Sequence, residues 1–303
     1  MRARAFVHDE LPRLQEAVAG WIAEAGRCGY DHVGELPHRV YDNLRDRRPA
    51  GELVRVWEDG CGLAGIAILL RFGCAFDVLA APRLRGGPAE LRMLRAAREA
   101  TVRLMDPAEP YVLTDVFDCD AARIALLERA GFARFRVWDH VNELDLRDPV
   151  PEPSPPAGFL LRPAVPGDAA GLAEARNAAF GDDWTGELYR SAVMDRPGYD
   201  PAREIVAESP DGRVAAFAVY WTDPLNRTGH FEPVGTHPAF WRRGLARAAM
   251  LYALRAMRGQ GMRLVTVNHD AANAAARDLY ASLGFVRRHQ TYGYRCPAGS
   301  TPS

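Results

Sequence analysis

Lysine is absent from this chain of 303 residues, so arginine supplies all 38 of its basic side chains. A GC-rich coding genome explains this bias more simply than any function does. The 39 acidic residues leave a net charge of −1, which excludes a generally basic nucleic-acid-binding protein. Long apolar runs are also missing, both at the N-terminus, where a signal peptide needs one, and elsewhere, where a membrane span needs one. We therefore predict a cytoplasmic protein with neither a nucleic acid nor a membrane as partner.

Cysteine is scarce, and its spacing fits none of the common cysteine frameworks. The cysteines are odd in number and form no Cys-x-x-Cys pair; they are Cys28, Cys61, Cys74, Cys119 and Cys296. Such a pattern is typical of reduced thiols rather than of a disulfide framework or a zinc site. We accordingly predict free thiols and no metal site.

A proline-rich stretch divides the chain into two parts. In residues 149–158 proline stands at nearly every second position, which favours an extended spacer. The chain is long enough for two domains of ordinary size, each with its own core. We predict a first domain over residues 1–148, a linker over residues 149–158 and a second domain over residues 159–303.

Residues 234–247 combine a short extended segment, a basic turn and the start of a long apolar-periodic helix. The N–H groups that open a helix lack acceptors inside it and carry roughly half a positive charge, which suits an anion. Gly244 and Ala246 would let a phosphate approach the backbone closely. Three basic side chains surround the turn: Arg242, Arg243 and Arg247. The pattern indicates a phosphate-binding turn, although an ordinary strand, turn and helix with a basic cap fits these residues equally well.

A second strand and helix follow the long helix. Residues 263–268 alternate and are rich in β-branched side chains, which predicts a strand. Residues 271–283 predict a helix that ends at Gly284. Asn273 and Tyr280 lie seven residues apart within it, so they share one face. The helix reads Asn273-Ala-Ala-Ala-Arg-Asp-Leu-Tyr280-Ala-Ser-Leu-Gly284-Phe285.

These two motifs, in this order, resemble the GNAT superfamily of N-acetyltransferases. The family pattern is Arg/Gln-x-x-Gly-x-Gly/Ala followed by Asn-x-x-Ala-x-x-Leu-Tyr-x-x-x-Gly-Phe, and the resemblance covers residues 159–295. It implies acetyl-CoA as cosubstrate, with its diphosphate on the turn and its pantetheine arm on exposed backbone before the turn. The cofactor-binding residues that it implies are Val234, Gly235, Thr236, Arg242, Arg243, Gly244, Leu245, Ala246, Arg247, Asn273 and Tyr280. Trp241 departs from the pattern, because it stands where the family has Arg or Gln and cannot make that phosphate contact.

The resemblance also implies catalytic residues. Tyr280 matches the family tyrosine that faces the thioester sulfur and protonates the thiolate; the alternative is an aromatic core residue. Alternation places His230 and Glu232 on one face of the strand that enters the turn. We predict Glu232 as the general base, with His230 as its rival or as part of a proton relay. A solvated carboxylate and a cleft-edge histidine are the plainer interpretations. Pro233 cannot donate to a ladder, so this strand is either splayed there or at a sheet edge.

The first half repeats the second with altered key positions. Residues 120–132 align with residues 273–285 without a gap, and residues 78–88 align with residues 234–244. Pro88 replaces the turn glycine and lacks the N–H that a phosphate needs, while Glu90 places a negative charge toward a diphosphate. Asp120 and Leu127 replace the capping asparagine and the helix tyrosine. We predict that the first half has lost cofactor binding and is structural, although the two glycines before Pro88 could form a shifted loop.

The coarse pattern predicts an α/β fold: a mixed sheet with helices on both faces, made twice as two tandem acyl-CoA N-acyltransferase domains. In the second domain it predicts helices over residues 169–180, 185–195, 244–258 and 271–283. It predicts strands over residues 204–208, 214–222, 229–236, 263–268 and 285–295, with a hairpin turn at residues 210–212.

For function, we predict an acetyl-CoA-dependent N-acetyltransferase that acts on the primary amine of a small molecule by direct attack in a ternary complex. It would be a monomer or a homodimer. An enzyme that uses a longer acyl-CoA and a non-catalytic CoA-binding regulatory protein are the alternatives. Tandem domains with one active half resemble the arrangement of bacterial mycothiol synthases, but the residues do not specify that reaction. Acidic and aromatic side chains would line the acceptor cleft, unless the acids only solvate a loop: Asp182, Asp183, Glu187, Trp184 and Tyr189.

Overall fold

A twelve-stranded mixed sheet runs through the whole chain in the computed structural model, which describes residues 1–45 and 47–299. The strands are β1 (Arg2–Ala5), β2 (Val54–Asp59), β3 (Gly62–Arg71), β4 (Ala75–Ala80), β5 (Tyr111–Phe117), β6 (Ala133–Asp145), β7 (Leu160–Pro163), β8 (Glu204–Glu208), β9 (Val214–Asp223), β10 (Thr228–Thr236), β11 (Leu264–Asp270) and β12 (Val286–Pro297). Their order across the sheet is β1-β2-β3-β4-β5-β12-β6-β11-β10-β9-β8-β7. The mixed sheet with helices on both faces confirms the predicted fold class.

The two halves exchange their last strands. Strand β12, from the second half, lies between β5 and β6 of the first half, and β6 in turn pairs with β11 of the second half. We expected two separate copies of one sheet, and the structure has one continuous sheet instead. Because the central pairing is shared, the two halves cannot separate without breaking the sheet. A site between them is therefore held in fixed geometry.

The helices are α1 (Leu11–Ala25), α2 (Glu35–Pro37), α3 (Ala50–Leu53), α4 (Pro88–Leu104), α5 (Ala121–Arg129), α6 (Ala169–Phe180), α7 (Gly186–Tyr189), α8 (Leu245–Gly259) and α9 (Ala274–Ser282). Wider π-type turns extend α2 over His38–Asn43 and α7 over Arg190–Met194. Every helix predicted for the second half is present. Helix α9 begins later than predicted, because Asp270 accepts the Ala272 N–H at 2.8 Å and holds the preceding segment as a turn. No helix in the described part of the chain is long and apolar enough to cross a membrane.

Helices cover both faces of the sheet because strand residues alternate. On β9, Phe217 packs in the cluster of α6, whereas Ala218 and Tyr220 pack in the cluster of α8. The first half follows the same rule, with α1 on one face and α4 on the other. The face of the sheet that α1 covers also carries residues 26–43, which lie against the second half. This contact is where the candidate site is found.

One cysteine prediction is wrong. Cys28, in the loop after α1, and Cys119, in the loop after β5, form a disulfide with their Cα atoms 6.1 Å apart. The two cysteines are 91 residues apart in the sequence, so their spacing gave no sign that they meet. Within the described residues, Cys61, Cys74 and Cys296 take part in no disulfide.

Candidate active site

A gap opens in the sheet where β10 leaves β11. The two strands pair in parallel only over residues 228–231 and 264–267. On its other side β10 pairs with β9, with a register shift between Phe231 and Val234 that brackets Pro233. Beyond this point Val234, Gly235 and Thr236 bond to β9 alone. Their backbone is open toward the gap, so the proline marks a splayed strand rather than a sheet edge.

The predicted phosphate-binding turn lies at the end of this gap. Gly244 is the N-cap of α8 and has a left-handed backbone, with φ +76°. A side chain at Gly244 would have open space within 4 Å, so the conformation and not crowding favours glycine there. Leu245 is buried and anchors the first turn, and Ala246 is small and partly buried. The opening N–H groups of α8 therefore face outward without acceptors inside the helix.

Exposed arginines surround these N–H groups. Arg243 lies over Phe240, with its guanidinium carbon 5.8 Å from the ring centroid. Arg242 and Arg247 are exposed, and neither has an ion pair with any residue that the structure describes. Two uncommitted guanidiniums beside a helix N-terminus form a surface suited to a dianion.

Trp241 stabilises the loop between β10 and α8. Its side chain is largely exposed, and its indole N–H donates to the Thr236 carbonyl at 2.9 Å. This bond closes the loop between β10 and α8. The tryptophan thus uses its only side-chain donor on backbone, and the expectation that it makes no phosphate contact stays a prediction.

Tyr280 lies on α9 behind the gap. Its ring is buried between His269 and Phe285, at centroid distances of 5.8 and 6.0 Å. Burial raises the pKa of the Tyr280 phenol, and the nearby Glu232 carboxylate raises it further. The hydroxyl therefore stays protonated at neutral pH and is able to donate.

Glu232 lies across the gap from Tyr280, at the point where β10 leaves the sheet pairing. Its carboxylate is about one quarter exposed, and its Oε1 lies 3.3 Å from Nε2 of His38, in the first half. Burial raises the pKa of Glu232 well above its ordinary value, and the neighbouring carboxylates of Glu35 and Asp42 add to this effect. The backbone is fixed by the Trp221 indole, which donates to the Glu232 carbonyl at 2.8 Å. A carboxylate with a raised pKa is a stronger base near neutral pH.

His230 is buried, and both of its ring nitrogens have partners. Nδ1 lies 2.7 Å from the Thr266 hydroxyl, and Nε2 lies 2.9 Å from the Glu35 carboxylate. Burial alone would raise the pKa of Glu35, but the Arg39 guanidinium and His230 hold it well below its usual range. His230 is therefore tied to an ionised carboxylate of the first half. This arrangement suits the predicted relay or a positioning role better than direct contact with an acceptor.

Asn273 caps α9. Its side-chain oxygen accepts the Ala276 N–H at 3.0 Å. The corresponding residue of the first half, Asp120, caps α5 in the same way by accepting the Arg123 N–H at 3.1 Å. Both residues thus serve their helices, and the cofactor contact proposed for Asn273 stays a prediction.

The first half holds its own anion at the equivalent turn. Helix α4 starts with Pro88 after the N-cap Gly87, and the Glu90 carboxylate is fully buried beneath the turn. That carboxylate accepts the Gly86 N–H at 2.6 Å and the Arg123 Nε–H at 2.8 Å. A protein carboxylate thus takes the place that a phosphate oxygen would need.

Most of the predicted acceptor-binding residues have ion-pair or packing partners within the protein. Asp183 pairs with Arg45 at 2.6 Å and with Arg47 at 3.0 Å, and Asp182 also pairs with Arg45. Trp184 and Tyr189 are buried in the core beside α6. Only Glu187 is exposed without a described partner. Arginines of the first half neutralise two acids of this segment, whereas Tyr189 lines a pocket together with His38, Trp221 and Pro233. That the segment lines the acceptor cleft stays a prediction.

Further ionisable groups near Glu232 come from the first half, and no motif marked them. They are His38, Glu35, Asp42 and Asp139. The one signal that could have found the first three is the density of ionisable residues between positions 31 and 42, which does not include Asp139. A cleft adjoins this region and is lined from both halves, with Asp31, His32 and Glu143 on one side and His230, Thr266 and Asn268 on the other.

Fold and site together define an acyltransferase of the GNAT type. Residues 169–285 match the acetyltransferase (GNAT) family. The chain is 31% identical to a mycothiol acetyltransferase of Thermomonospora curvata over 94% of each chain. It is 32% identical to a mycothiol acetyltransferase of Thermobispora bispora over 92% of this chain and 94% of the relative. The chain belongs to the GNAT acetyltransferase family.

Solved structures share the fold over nearly the whole chain. A tandem GNAT protein from the clavulanic acid biosynthesis pathway superimposes with a TM-score of 0.67 over 99% of both chains, at 17% identity. A GCN5-related N-acetyltransferase from Sphaerobacter thermophilus gives a TM-score of 0.62 at 23% identity, over 98% of this chain and 95% of that one. Identities this low support the fold alone.

Proposed function

We propose that the chain is an acetyl-CoA-dependent N-acetyltransferase that acetylates the primary amine of a small molecule by direct attack in a ternary complex. The observation that carries the proposal is the gap between β10 and β11. It ends at the outward-facing N–H groups of α8 and has Glu232 and Tyr280 on its two sides. A thioester carrying a diphosphate fits these two features at once.

Acetyl-CoA would bind mainly through hydrogen bonds to backbone groups, and basic side chains would supply countercharge. The diphosphate would accept hydrogen bonds from the N–H groups around Gly244 and Leu245, with Arg242 and Arg247 as countercharges. The amides of the pantetheine arm would bond to the open edge of β10 at residues 234–236. These contacts place the thioester in the gap.

A side chain of the protein then serves each of the two proton transfers in the reaction. Glu232 takes a proton from the acceptor nitrogen, which attacks the thioester carbonyl and forms a C–N bond. The tetrahedral intermediate breaks its C–S bond, and the Tyr280 hydroxyl gives its proton to the departing thiolate. Acid and base contributions of this kind are each worth roughly 10²–10⁴-fold in rate.

The acceptor would enter from the face that carries residues 26–43, between the two halves. The relatives that align over nine-tenths of the chain are mycothiol acetyltransferases. Des-acetyl mycothiol, the amine whose acetylation gives mycothiol, is therefore the first acceptor to test. We propose further that the first half does not bind acetyl-CoA, because Glu90 and Arg123 fill its turn.

The test combines binding with turnover. Acetyl-CoA should raise the melting temperature of the protein, and Gly244→Pro should abolish the shift, since proline cannot adopt the positive φ of that position. Gly86→Pro is the matched control, because Gly86 has the same left-handed backbone, with φ +71°, in the first-half turn. It should leave the acetyl-CoA shift intact.

Turnover is followed by release of free thiol from acetyl-CoA with des-acetyl mycothiol and a panel of other primary amines. If a longer acyl-CoA gave a larger melting shift and faster turnover than acetyl-CoA, we would conclude that the longer acyl group is the one transferred. Loss of acetyl-CoA binding in Gly86→Pro but not in Gly244→Pro would reverse the roles of the two halves.

A further inference from the structure

A second cluster of metal-ligating side chains lies outside the candidate active site, around the disulfide of the first half. Besides Cys28 and Cys119, it contains Asp118, which precedes Cys119, and His289 of β12. The Asp118 carboxylate, the Cys119 sulfur and an imidazole nitrogen of His289 lie within 4.8 Å of one another. Since Cys28 is bonded to Cys119, four donor groups from three separate segments meet at this point.

The two side chains beside the disulfide have no hydrogen-bonding partner but each other in the described part of the chain. Nδ1 of His289 lies 3.1 Å from Oδ1 of Asp118. The His289 side chain is 40% exposed and that of Asp118 is 27% exposed, and Cys119 is exposed as well. A cation from solvent therefore reaches the imidazole, the carboxylate and the sulfur without any rearrangement of the core.

The backbone around the disulfide is held by contacts that do not involve the sulfur atoms. The Cys28 carbonyl accepts a hydrogen bond from the Arg85 guanidinium at 2.7 Å. On the other side, the Asp118 N–H donates to the Gln290 carbonyl of β12 at 2.9 Å. Reduction of the disulfide therefore leaves the four donor groups close together.

The spacing of these groups suits a tetrahedral ion. Zinc binds sulfur at about 2.3 Å and nitrogen or oxygen at about 2.0–2.2 Å, which separates two sulfur ligands by about 3.8 Å and a nitrogen from an oxygen ligand by about 3.3 Å. The 3.1 Å between His289 and Asp118 is close to the second separation. The Cα atoms of Cys28 and Cys119, 6.1 Å apart, allow the first, because rotation about each Cα–Cβ bond moves the sulfur.

The chemistry of the four donor groups selects the kind of cation. Magnesium and calcium prefer oxygen ligands, whereas two thiolates and an imidazole suit zinc and similar ions. Two thiolates and one carboxylate carry three negative charges, of which a divalent cation neutralises two. Four protein ligands complete a tetrahedral shell, which is the arrangement of a structural rather than a catalytic zinc site.

We propose that Cys28, Cys119, Asp118 and His289 form a binding site for a zinc-type divalent cation when the disulfide is reduced, so that the same loops are closed by either a disulfide or a metal ion. Two molecules of a low-molecular-weight thiol supply the two electrons. The S–S bond breaks, each cysteine sulfur gains a proton, and the two reductant molecules become joined by a disulfide. The cation then takes the places of the two thiol protons, which leave to solvent.

The site adjoins the cleft between the two halves. Arg27 and Asp31, on either side of Cys28 in the chain, line that cleft, and so does His289. A bound ion thus fixes this wall of the cleft as the disulfide does. The cysteine spacing predicted no metal site, because Cys28 and Cys119 are 91 residues apart and the histidine comes from the second half.

Metal binding by the full chain, kept in a phosphine reductant, tests the proposal. We expect the reduced protein to bind one Zn²⁺ per chain, with a rise in melting temperature and protection of two of its five thiols from alkylation. Co²⁺ in place of Zn²⁺ should give a thiolate-to-metal charge-transfer band. The oxidised protein should show neither the band nor the protection.

Three variants assign the site. Cys119→Ser should abolish the charge-transfer band, and His289→Gln should weaken Zn²⁺ affinity by at least roughly tenfold, the loss usual even for groups behind the ligands. Cys61→Ser is the matched control, because Cys61 is an exposed cysteine that takes part in no disulfide, and it should leave both measurements unchanged. His289→Gln keeps both cysteines, so it decides the question if Cys119→Ser fails to fold.

Three results would overturn the proposal: a reduced protein that binds no Zn²⁺, Co²⁺ binding without a charge-transfer band, or Zn²⁺ affinity unchanged in His289→Gln. Binding without the band would place the ion on oxygen and nitrogen groups alone, away from the cysteines. None of these measurements depends on acetyl transfer, so they stand or fall separately from the proposed function.

Discussion

Tyr280→Phe removes one oxygen atom and should separate catalysis from stability. Among the residues that the structure describes, none hydrogen-bonds the Tyr280 hydroxyl, so its removal leaves no buried partner unsatisfied. The ring keeps its contacts with His269 and Phe285. We therefore expect the free energy of unfolding to change by no more than about 0.5 kcal/mol.

The rate should change far more. Loss of a general acid lowers kcat roughly 10²–10⁴-fold, which corresponds to about 2.7–5.4 kcal/mol of transition-state stabilisation. The KM for acetyl-CoA should stay within about threefold, since the hydroxyl acts on the departing thiolate rather than on the bound thioester. A thioester with a more acidic thiol should lose less rate, because its leaving group needs less help from a proton.

The assay is steady-state thiol release together with thermal unfolding of each variant. Tyr294→Phe is the matched control, because Tyr294 is also a buried tyrosine but lies in the first-half core. Its rate should equal that of the unmodified protein. Full activity in Tyr280→Phe, or an equal loss in both variants, would refute the acid role of Tyr280.

Three further predictions follow from the same site. Because the pKa of Glu232 is raised, kcat/KM should rise with pH through that raised pKa, and Glu232→Gln should abolish the rise. The measurement uses an acceptor whose amine titrates well below neutral pH, so that the ionisation of the acceptor does not contribute to the rise. Arg247→Ala should weaken acetyl-CoA binding by roughly tenfold at low salt and less at high salt, measured by calorimetry, whereas Arg258→Ala at the other end of α8 should not. Glu90→Ala leaves the buried Arg123 without its carboxylate and should lower the free energy of unfolding by about 3–5 kcal/mol, measured by urea denaturation, without changing acetyl-CoA affinity in the folded protein.

Most of the second half could be predicted from its sequence because its signals are local. The turn at Gly244 is specified by a glycine with a positive φ, followed at once by an apolar-periodic helix. The hairpin between β8 and β9 follows from the Asp-Gly turn between two apolar runs. Pro233 marked the point where β10 leaves its neighbour, since it cannot donate to a ladder. Each of these features depends on a few consecutive residues.

The remaining features depend on contacts between residues far apart in the chain. His230 and Glu35 are 195 residues apart, and nothing near either one indicates that they meet. The exchange of β6 and β12 has the same cause, because the pairing partners of each strand include residues of the other half, such as Leu264 of β11 opposite Asp145 of β6. Asp183 was expected to bind an amine, but Arg45 and Arg47 of the first half bind it instead. A local sequence pattern shows which chemical groups a residue can present, whereas the tertiary fold determines which distant residue binds them.

A crystal structure of the protein with bound CoA tests the central claim most directly. The account predicts the diphosphate on the N–H groups that open α8 at Gly244, beside Arg242 and Arg247, with the pantetheine arm along residues 234–236 in the gap between β10 and β11. A diphosphate bound at the first-half turn near Glu90, or a thiol far from Glu232 and Tyr280, would contradict it.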